Sequence, residues 1–374
     1  MDAVQQLAQP CESLLERFHV DTRYIAAGAA SEWKGGIVQR VRGGKLWHDL
    51  TDEFGVTWSM PDEQLLFMDI SHHPLGNATI ADVKDYPWPK GDDPGRFAGL
   101  RDRALMIRRD TPYAVISGIS GVVYEICWYM RGLEQWLCDL LTDPEFCEAV
   151  IDRTLKFWLD WFRVFLDEVG DIVDVIMIGD DLAGQTGPLF HPEIYRRLVQ
   201  PRHKRSVQYI RSRTKAKIWY HTCGACQSFL PELIDDGIDI LNPVQTSARN
   251  MDARKLKGKY GDRLAFWAAV AIRSTSSRPR RRNRWRRMCA GMWRSSSPGA
   301  GTSSTTSTTS RAASHRKTLS RSMTPPTSAD FTTEGALPRQ DFDAVVRLPR
   351  LPVRAGSFTD HSSPPFPILM ISSI

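Results

Sequence analysis

Short apolar runs alternate with longer segments of helical periodicity from about residue 113 onwards. The apolar runs predict strands over residues 113–119, 173–179, 217–223, 238–244 and 264–270. The segments between them predict helices over residues 122–141, from 143 onwards, and over 192–213, 228–236 and 253–260. Strands and helices in this order predict βαβ units and a parallel sheet, and the continuously apolar strands indicate a sheet covered on both faces.

The helix that follows residue 142 has a clear start signal. Asp143 is a favourable N-cap, and Pro144 falls in the first turn, where a missing N–H group has no cost. Six apolar side chains of this segment lie on one helical stripe: Phe146, Val150, Phe157, Trp158, Trp161 and Phe165. The segment is therefore expected to be a helix that packs one face against the core.

Residues 1–110 show a mixed pattern. Residues 45–60 alternate apolar and polar side chains around Gly55, which predicts a β-hairpin. Prolines recur through residues 85–94, and that density excludes a helix or a central strand there. We interpret residues 1–110 as an N-terminal extension that contains this hairpin and the first barrel elements.

Several βα units in succession predict an α/β fold of the (β/α)₈ TIM-barrel type. No G-x-G-x-x-G segment follows any predicted strand, which disfavours an open doubly wound sheet. Residues 111–270 supply the remaining barrel units, and the periodicity stops after Val270. The barrel is therefore predicted to be incomplete, with residues 271–374 as a disordered, low-complexity tail rich in Arg, Ser, Thr and Pro.

Charge separates the same two parts of the chain. The 374 residues carry a formal net charge of +6, but residues 273–374 hold 17 basic and 5 acidic residues, which is +12 and leaves −6 for residues 1–272. No apolar run is long enough for a membrane span, and the first residues lack the features of a signal peptide. Seven cysteines, an odd number, fit a reducing compartment, so a cytoplasmic location is expected.

Barrel active sites are built from side chains at the carboxyl ends of the strands and in the loops that follow. Polar side chains at those positions are Asp180, Asp181, Gln185, His221, Cys223, Asn242 and Gln245. His221 and Cys223 end one strand, and the two-residue period places both on one face. An imidazole and a thiolate in this arrangement suit Zn²⁺, although a packed histidine beside an inert cysteine is the plain alternative.

Cys223 and Cys226 also form a C-x-x-C pair, but no second pair follows for a zinc ribbon. Asp180 and Asp181 are adjacent at a strand end, so we expect one carboxylate to enter the barrel mouth while the other caps or pairs. The entering carboxylate could act as a general base, a metal ligand or a stabiliser of positive charge. Alternatively, both could simply bond local backbone amides.

Four histidines are expected to be surface or capping residues: His72, His73, His191 and His203.

Several of these segments occur together in one known family. They are 179–188 (GDDLAGQTGP), 191–195 (HPEIY), 201–204 (PRHK), 221–224 (HTCG) and 237–245 (GIDILNPVQ), with 51–58 (TDEFGVTW), 73–75 (HPL) and 86–89 (YPWP) before them. From about residue 18 to 267 the chain resembles the uroporphyrinogen decarboxylase superfamily, in particular its decarboxylase-like branch, which is similar to cobalamin-dependent methyltransferases. The resemblance implies a (β/α)₈ barrel with its site in the barrel mouth.

The resemblance implies two competing functions. Porphyrinogen decarboxylases need no cofactor and hold substrate carboxylates with an RQAGR-type loop, which this sequence lacks. In the methyltransferase branch an H-x-C pair binds zinc, and His221 and Cys223 match it. Zn²⁺ would lower the pKa of a bound thiol, and the thiolate would attack a methyl group carried by a corrinoid on a partner protein.

The resemblance also suggests roles for the remaining polar residues. Asp180 or Asp181 would orient or deprotonate the substrate. Side chains expected to contact a small-molecule or porphyrinogen substrate are Gln185, Tyr195, Asn242 and Gln245.

The family pattern breaks after Trp267, where a Gly-Gly-x-Asp-x-Gln segment would follow. A reading-frame shift explains the break: one base back, residues 302–310 permit YVFNNVHNI, a strand with a histidine near its end, and residues 268–276 and 314–333 also permit family-like segments. The shifted chain would lack the last strands and that histidine, which occupies the family's C-terminal site position. We expect the gene's nucleotides to show the shift; an uninterrupted codon pattern matching close relatives through residues 268–335 would contradict it.

Two interpretations from a different functional class remain open. The chain could be a non-catalytic remnant of an enzyme, or it could bind nucleic acid through the basic segment 278–287, with Trp285 stacking on a base. Nucleic-acid binding is the less favoured of these, because the codon composition of a shifted frame already accounts for the charge.

Overall fold

The chain forms a parallel sheet with helices packed on one face and a small antiparallel sheet near its N-terminus. This computed structural model describes residues 4–5, 10–64, 67–119, 121–267 and 269–270. The predicted tail, residues 271–374, lies outside the described residues. None of the described helices is long and apolar enough to cross a membrane.

The described residues form twelve strands: β1 (Thr22–Tyr24), β2 (Val38–Arg42), β3 (Lys45–Thr51), β4 (Thr57–Pro61), β5 (Asp69–His72), β6 (Ala114–Gly118), β7 (Val175–Gly179), β8 (Lys217–His221), β9 (Ile240–Asn242), β10 (Val244–Gln245), β11 (Ala265–Phe266) and β12 (Ala269–Val270). Their α-helices are α1 (Glu12–Arg17), α2 (Ile80–Asp85), α3 (Leu100–Asp110), α4 (Glu125–Arg131), α5 (Leu133–Thr142), α6 (Pro144–Val169), α7 (Pro192–Ile194), α8 (Gln200–Arg211), α9 (Leu230–Asp236) and α10 (Ala253–Tyr260).

Six strands form the main sheet in the order β1-β6-β7-β8-β9-β11, and every neighbouring pair is parallel. A separate parallel pair joins β10 to β12. Helices alternate with the strands from β6 onwards, which confirms the predicted βαβ units. The architecture is that of a partial (β/α)₈ barrel.

The N-terminal sheet is antiparallel, in the order β2-β3-β4-β5. Strands β3 and β4 form the predicted hairpin, and Gly55 in its turn has a φ of 79°, a conformation that favours glycine. Asp52 fastens the turn by accepting hydrogen bonds from the amides of Phe54 (2.9 Å) and Val56 (3.1 Å) and from Trp58 Nε1 (2.9 Å). Burial raises the pKa of the Asp52 carboxyl to about 6.

The predicted start of α6 is confirmed, because Asp143 accepts a hydrogen bond from the Phe146 amide at 3.1 Å. The single helix predicted over residues 122–141 is wrong: α4 and α5 are separate and meet at Gly132, whose φ is 92°. Apolar residues continue with helical spacing through this position, so the break leaves no mark on the pattern. Glycine adopts a positive φ at little cost, so the chain can change direction between the two helices at this residue.

Alternate residues of the parallel strands point to opposite faces of the sheet. The helix-covered face is buried in one large apolar cluster, whereas the inner face holds a small cluster of Ile116, Val175 and Ile240. Trp219 and Trp267 stack beside that small cluster, with ring centroids 5.1 Å apart. Residues that share the inner face with Trp219 therefore point into the barrel.

Asp180 follows β7 and points into the helical layer, where it is completely buried. Its carboxylate accepts hydrogen bonds from the amides of Val123 (3.0 Å), Tyr124 (2.9 Å) and Glu125 (2.7 Å), at the start of α4. It also accepts from His203 Nε2 on α8 at 2.8 Å. One carboxylate therefore joins a strand end to two helices.

The expectation that His203 is a surface or capping residue is wrong, since its side chain is buried between Asp180 and Tyr195. The residues next to His203 on α8 are charged, so nothing in the local sequence indicated that the His203 side chain points inward. His191 does cap a helix, because its Nδ1 accepts a hydrogen bond from the Glu193 amide. His72 is exposed, as expected.

Asp180→Ala is expected to lower the free energy of unfolding by about 3 kcal/mol or more, because three buried amides and a buried imidazole lose their acceptor. The matched control is Asp181→Ala, which removes an acceptor from the Cys223 amide and should cost about 1 kcal/mol. Urea unfolding followed by circular dichroism measures both values. Equal losses for the two variants would contradict this assignment of Asp180.

Candidate active site

The candidate site lies on the inner face of the sheet, at the carboxyl ends of β7, β8 and β9. Gly179 pairs with His221, and His221 pairs with Asn242, so these three residues form one layer across the strands. A Cβ atom on residue 179 would lie 2.3 Å from the His221 carbonyl oxygen and 2.7 Å from its Cβ. Glycine at 179 therefore permits the close approach of β7 to His221.

Asp181 and Cys223 each come two residues after a member of this layer, so both point to the same side. His221 Nε2 lies 3.7 Å from Cys223 Sγ and 4.0 Å from Asp181 Oδ1. Asp181 Oδ1 also accepts a hydrogen bond from the Cys223 amide at 2.7 Å. One donor atom from each of Asp181, His221 and Cys223 lies within 4.8 Å of the others. We call these three residues the triad.

Hydrogen bonds on the far side of the imidazole set its tautomer. Asn242 Nδ2 donates to the Trp267 carbonyl at 3.3 Å, which turns Asn242 Oδ1 toward His221 Nδ1 at 2.8 Å. Because an amide oxygen only accepts, Nδ1 is the nitrogen that carries a proton, and in the neutral tautomer Nε2 is the nitrogen with the lone pair. The free nitrogen is the one that faces Cys223 and Asp181.

The loop after β8 is held against its neighbours by close backbone contacts. Gly224 has a φ of 79°, and a Cβ atom there would lie 2.1 Å from the Ala183 carbonyl oxygen. Its amide donates to Gln245 Oε1 at 2.7 Å, while the Ala225 amide donates to the Gly184 carbonyl at 2.9 Å. These contacts fix the position of Cys223.

Buried carboxylates surround the thiol. Burial raises the pKa of the Cys223 thiol well above its usual range, and the carboxylates of Asp181 and Glu125 raise it further. Glu125 is almost completely buried and accepts a hydrogen bond from the Tyr129 hydroxyl at 2.6 Å. Sequence reasoning missed Glu125, because a glutamate in a first helical turn is an ordinary surface residue and no pattern marked it as buried.

The predicted site residues separate into two groups. Asp181, His221 and Cys223 come together, and Asn242 and Gln245 lie directly behind them. Gln245 is 1% exposed, and its Nε2 has no hydrogen-bond partner among the described residues.

Three predicted residues lie away from the triad. Asp180 faces the helices. This agrees with the expectation that one aspartate caps or pairs while the other enters the barrel mouth. Tyr195 is completely buried beside His203, which favours a packing role over contact with substrate. The Gln185 side chain is exposed, while its carbonyl oxygen accepts a hydrogen bond from the Arg249 amide.

The triad offers an imidazole nitrogen, a thiol sulfur and a carboxylate oxygen. This mixed set matches the ligands of Zn²⁺, and catalytic zinc sites use three protein ligands with a fourth position for water or substrate. The side chains present therefore fit this ion in kind and number.

Comparisons with known proteins place the chain in a family. No curated protein sequence matches it. Among solved structures, a methyltransferase from Methanosarcina mazei resembles it with 17% sequence identity and a TM-score of 0.42. That alignment covers 58% of this chain and 60% of the other, so the chain spans less than two thirds of that structure. The family model described as uroporphyrinogen decarboxylase (URO-D) matches residues 52–265, more than half of the chain, and the protein is therefore a member of the URO-D family.

Proposed function

We propose that this member of the URO-D family is a zinc-dependent methyltransferase. Asp181, His221 and Cys223 would hold the metal, a corrinoid on a partner protein would donate the methyl group, and a thiol would accept it. The observation that carries the proposal is the convergence of three different donor atoms within 4.8 Å at the carboxyl ends of the strands. Bound Zn²⁺ would lower the pKa of the acceptor thiol and so favour its nucleophilic thiolate form.

The surrounding residues prepare the triad for this role. Asn242 accepts from Nδ1 of His221 and so leaves Nε2 as the nitrogen aimed at Cys223, as an outer-shell partner of a metal-binding histidine does. The Gln245 oxygen accepts from the Gly224 amide in the loop after β8, and among the described residues its buried Nε2 has no hydrogen-bond partner; we propose that Gln245 contacts the substrate from this position. Asp180 would support the site by holding the loop from behind, and Gln185 would meet substrate at the exposed rim.

Decarboxylation of a porphyrinogen is the second candidate, and the match to the URO-D family model favours it. This reaction would use a carboxylate such as Asp181 without the Cys223 thiol or a metal. The partly buried thiol beside an imidazole is the feature that this candidate leaves unexplained.

The activity of the chain also depends on the proposed reading-frame shift. If residues after 267 replace the last family strands, this chain lacks the histidine of the C-terminal site position. In that case we expect the triad to bind zinc. The rate of methyl transfer should be lower than the rate of a chain with the frame restored.

Cys223→Ala, His221→Ala and Asp181→Ala are each expected to weaken zinc binding at least about 100-fold, since each removes one of three ligands. The matched control is Cys226→Ala, which removes a buried thiol three residues further on that lies outside the triad. Mass spectrometry of the metal content after dialysis against free zinc gives the stoichiometry. An unchanged zinc content in the Cys223→Ala variant contradicts the proposal.

Activity assays separate the two candidate reactions. Transfer of the methyl group from methylcobalamin to 2-mercaptoethanol should fall to background in Cys223→Ala, because the metal site is lost. Formation of coproporphyrinogen from uroporphyrinogen by the same variant, at the rate of the unsubstituted chain, would instead support the decarboxylase. Both assays should include the frame-restored chain as the positive control.

A further inference from the structure

Positive charge is concentrated on α10 and in the loop before it. Residues 249–259 hold one acidic residue, Asp252, and five basic residues: Arg249, Arg254, Lys255, Lys257 and Lys259. Asp252 is engaged as the N-cap of α10, where its Oδ1 accepts a hydrogen bond from the Lys255 amide at 2.9 Å. Because residues 1–272 carry −6 in total, this segment is a basic area on an acidic body.

These five cations differ from the basic residues around them. The neighbouring Arg263 pairs with Asp235 at 2.6 Å, and Arg211 on α8 pairs with Asp239 at 2.7 Å. In the part of the chain that the structure describes, no carboxylate lies within ion-pairing distance of any of the five. Their positive charge is therefore available to another molecule.

The helical period divides α10 into two sides. Leu256 and Tyr260 are buried and face the core. The residues of α10 that are exposed lie together on the opposite side: Arg254, Lys255, Gly258 and Lys259. We call these four residues the basic face.

Gly258 is unusual for the interior of a helix. Its φ is not positive, and a Cβ atom at this position would meet no atom of the described residues within 4 Å. Neither the backbone conformation nor the packing therefore requires glycine, which is less favourable than alanine inside a helix. What glycine does provide is a bare stretch of backbone between cations, which another chain can approach closely.

The basic face begins on the side of the molecule that carries the triad. The loop before α10 follows β10, where Gln245 accepts the hydrogen bond from the Gly224 amide. In the same loop the Arg249 amide donates to the Gln185 carbonyl at 2.9 Å, at the exposed rim of the candidate site. A molecule bound to the basic face would therefore lie beside this rim.

The spacing of the cations favours a helix as the binding partner. Lys255 and Lys259 are one turn apart, about 6 Å along the axis of α10. Carboxylates four residues apart on a second helix have the same spacing, and without a side chain at Gly258 the two helix axes can come close. Nucleic acid fits less well, because Tyr260 is only 8% exposed and the basic face offers no aromatic ring for base stacking.

We propose that the basic face is a docking surface for an acidic helix of a partner protein. The partner helix crosses α10 at Gly258, and its carboxylates pair with Arg254, Lys255 and Lys259. The proposal goes beyond methyl transfer, because docking uses no residue of the triad and needs no metal.

The test is a titration of the full chain, labelled with ¹⁵N-glycine, with the acetylated helical peptide EAAAEAAAEAAAE. The amide signals of Gly258 and Gly261 report binding at α10 alone, which matters because the basic residues 273–374 also attract anions. We expect saturable shifts of both signals. The peptide QAAAQAAAQAAAQ, which has the same shape without charge, should bind at least about fivefold more weakly.

Three variants make the result specific. Lys255→Glu/Lys259→Glu should weaken binding of the acidic peptide at least about tenfold, because attraction becomes repulsion. The matched control is Arg197→Glu/Arg205→Glu, which reverses two exposed cations elsewhere on the surface, makes the same change in net charge and should keep the affinity. Gly258→Leu should weaken binding at least about threefold at unchanged charge, because its side chain separates the two helices.

Three results would overturn the proposal. The first is the absence of a saturable shift of Gly258 and Gly261, or equal affinity for the glutamate and glutamine peptides. The second is an equal loss of affinity in Lys255→Glu/Lys259→Glu and in its control, or unchanged affinity in Gly258→Leu. The third is tighter binding of an oligothymidylate than of the acidic peptide at the same two signals, which would make the basic face a nucleic-acid surface.

Discussion

The carboxylate of Asp180 joins three parts of the molecule that are distant in sequence. It follows β7, accepts the backbone amides at the start of α4, and accepts the imidazole of His203 on α8. A completely buried carboxylate is stable only when its oxygens are hydrogen-bonded, so each partner is required by the others. This constraint fixes the path of the backbone as it leaves β7. The side chain of the next residue must therefore point to the opposite face of the sheet.

That next residue is Asp181, which is aimed at the barrel interior because successive side chains alternate between the faces of a strand. The same alternation aims His221 and Cys223 inward from β8. Glycine at 179 removes the side chain that would collide with His221, and Asn242 selects the nitrogen that faces the other donors. The triad therefore results from strand geometry together with a few short contacts.

Much of the fold could be predicted because its elements are local in origin. Asp143 and Pro144 mark the start of α6, Gly55 marks the hairpin turn, and apolar runs mark the strands. Elements that depend on tertiary contacts could not be predicted. The division between α4 and α5 at Gly132 interrupts no pattern, and the strand expected over 238–244 splits into β9 and β10 at Pro243.

The sequence by itself determined the barrel class, through the succession of strands and helices. It also determined the inward face of His221 and Cys223 and the opposite directions of Asp180 and Asp181, because these depend only on spacing along one strand. Only the tertiary structure decided which aspartate enters the barrel, that His203 is buried, and that Glu125 lies near the thiol. These outcomes depend on partners from other segments, and spacing along the chain carries no information about which partner a side chain meets.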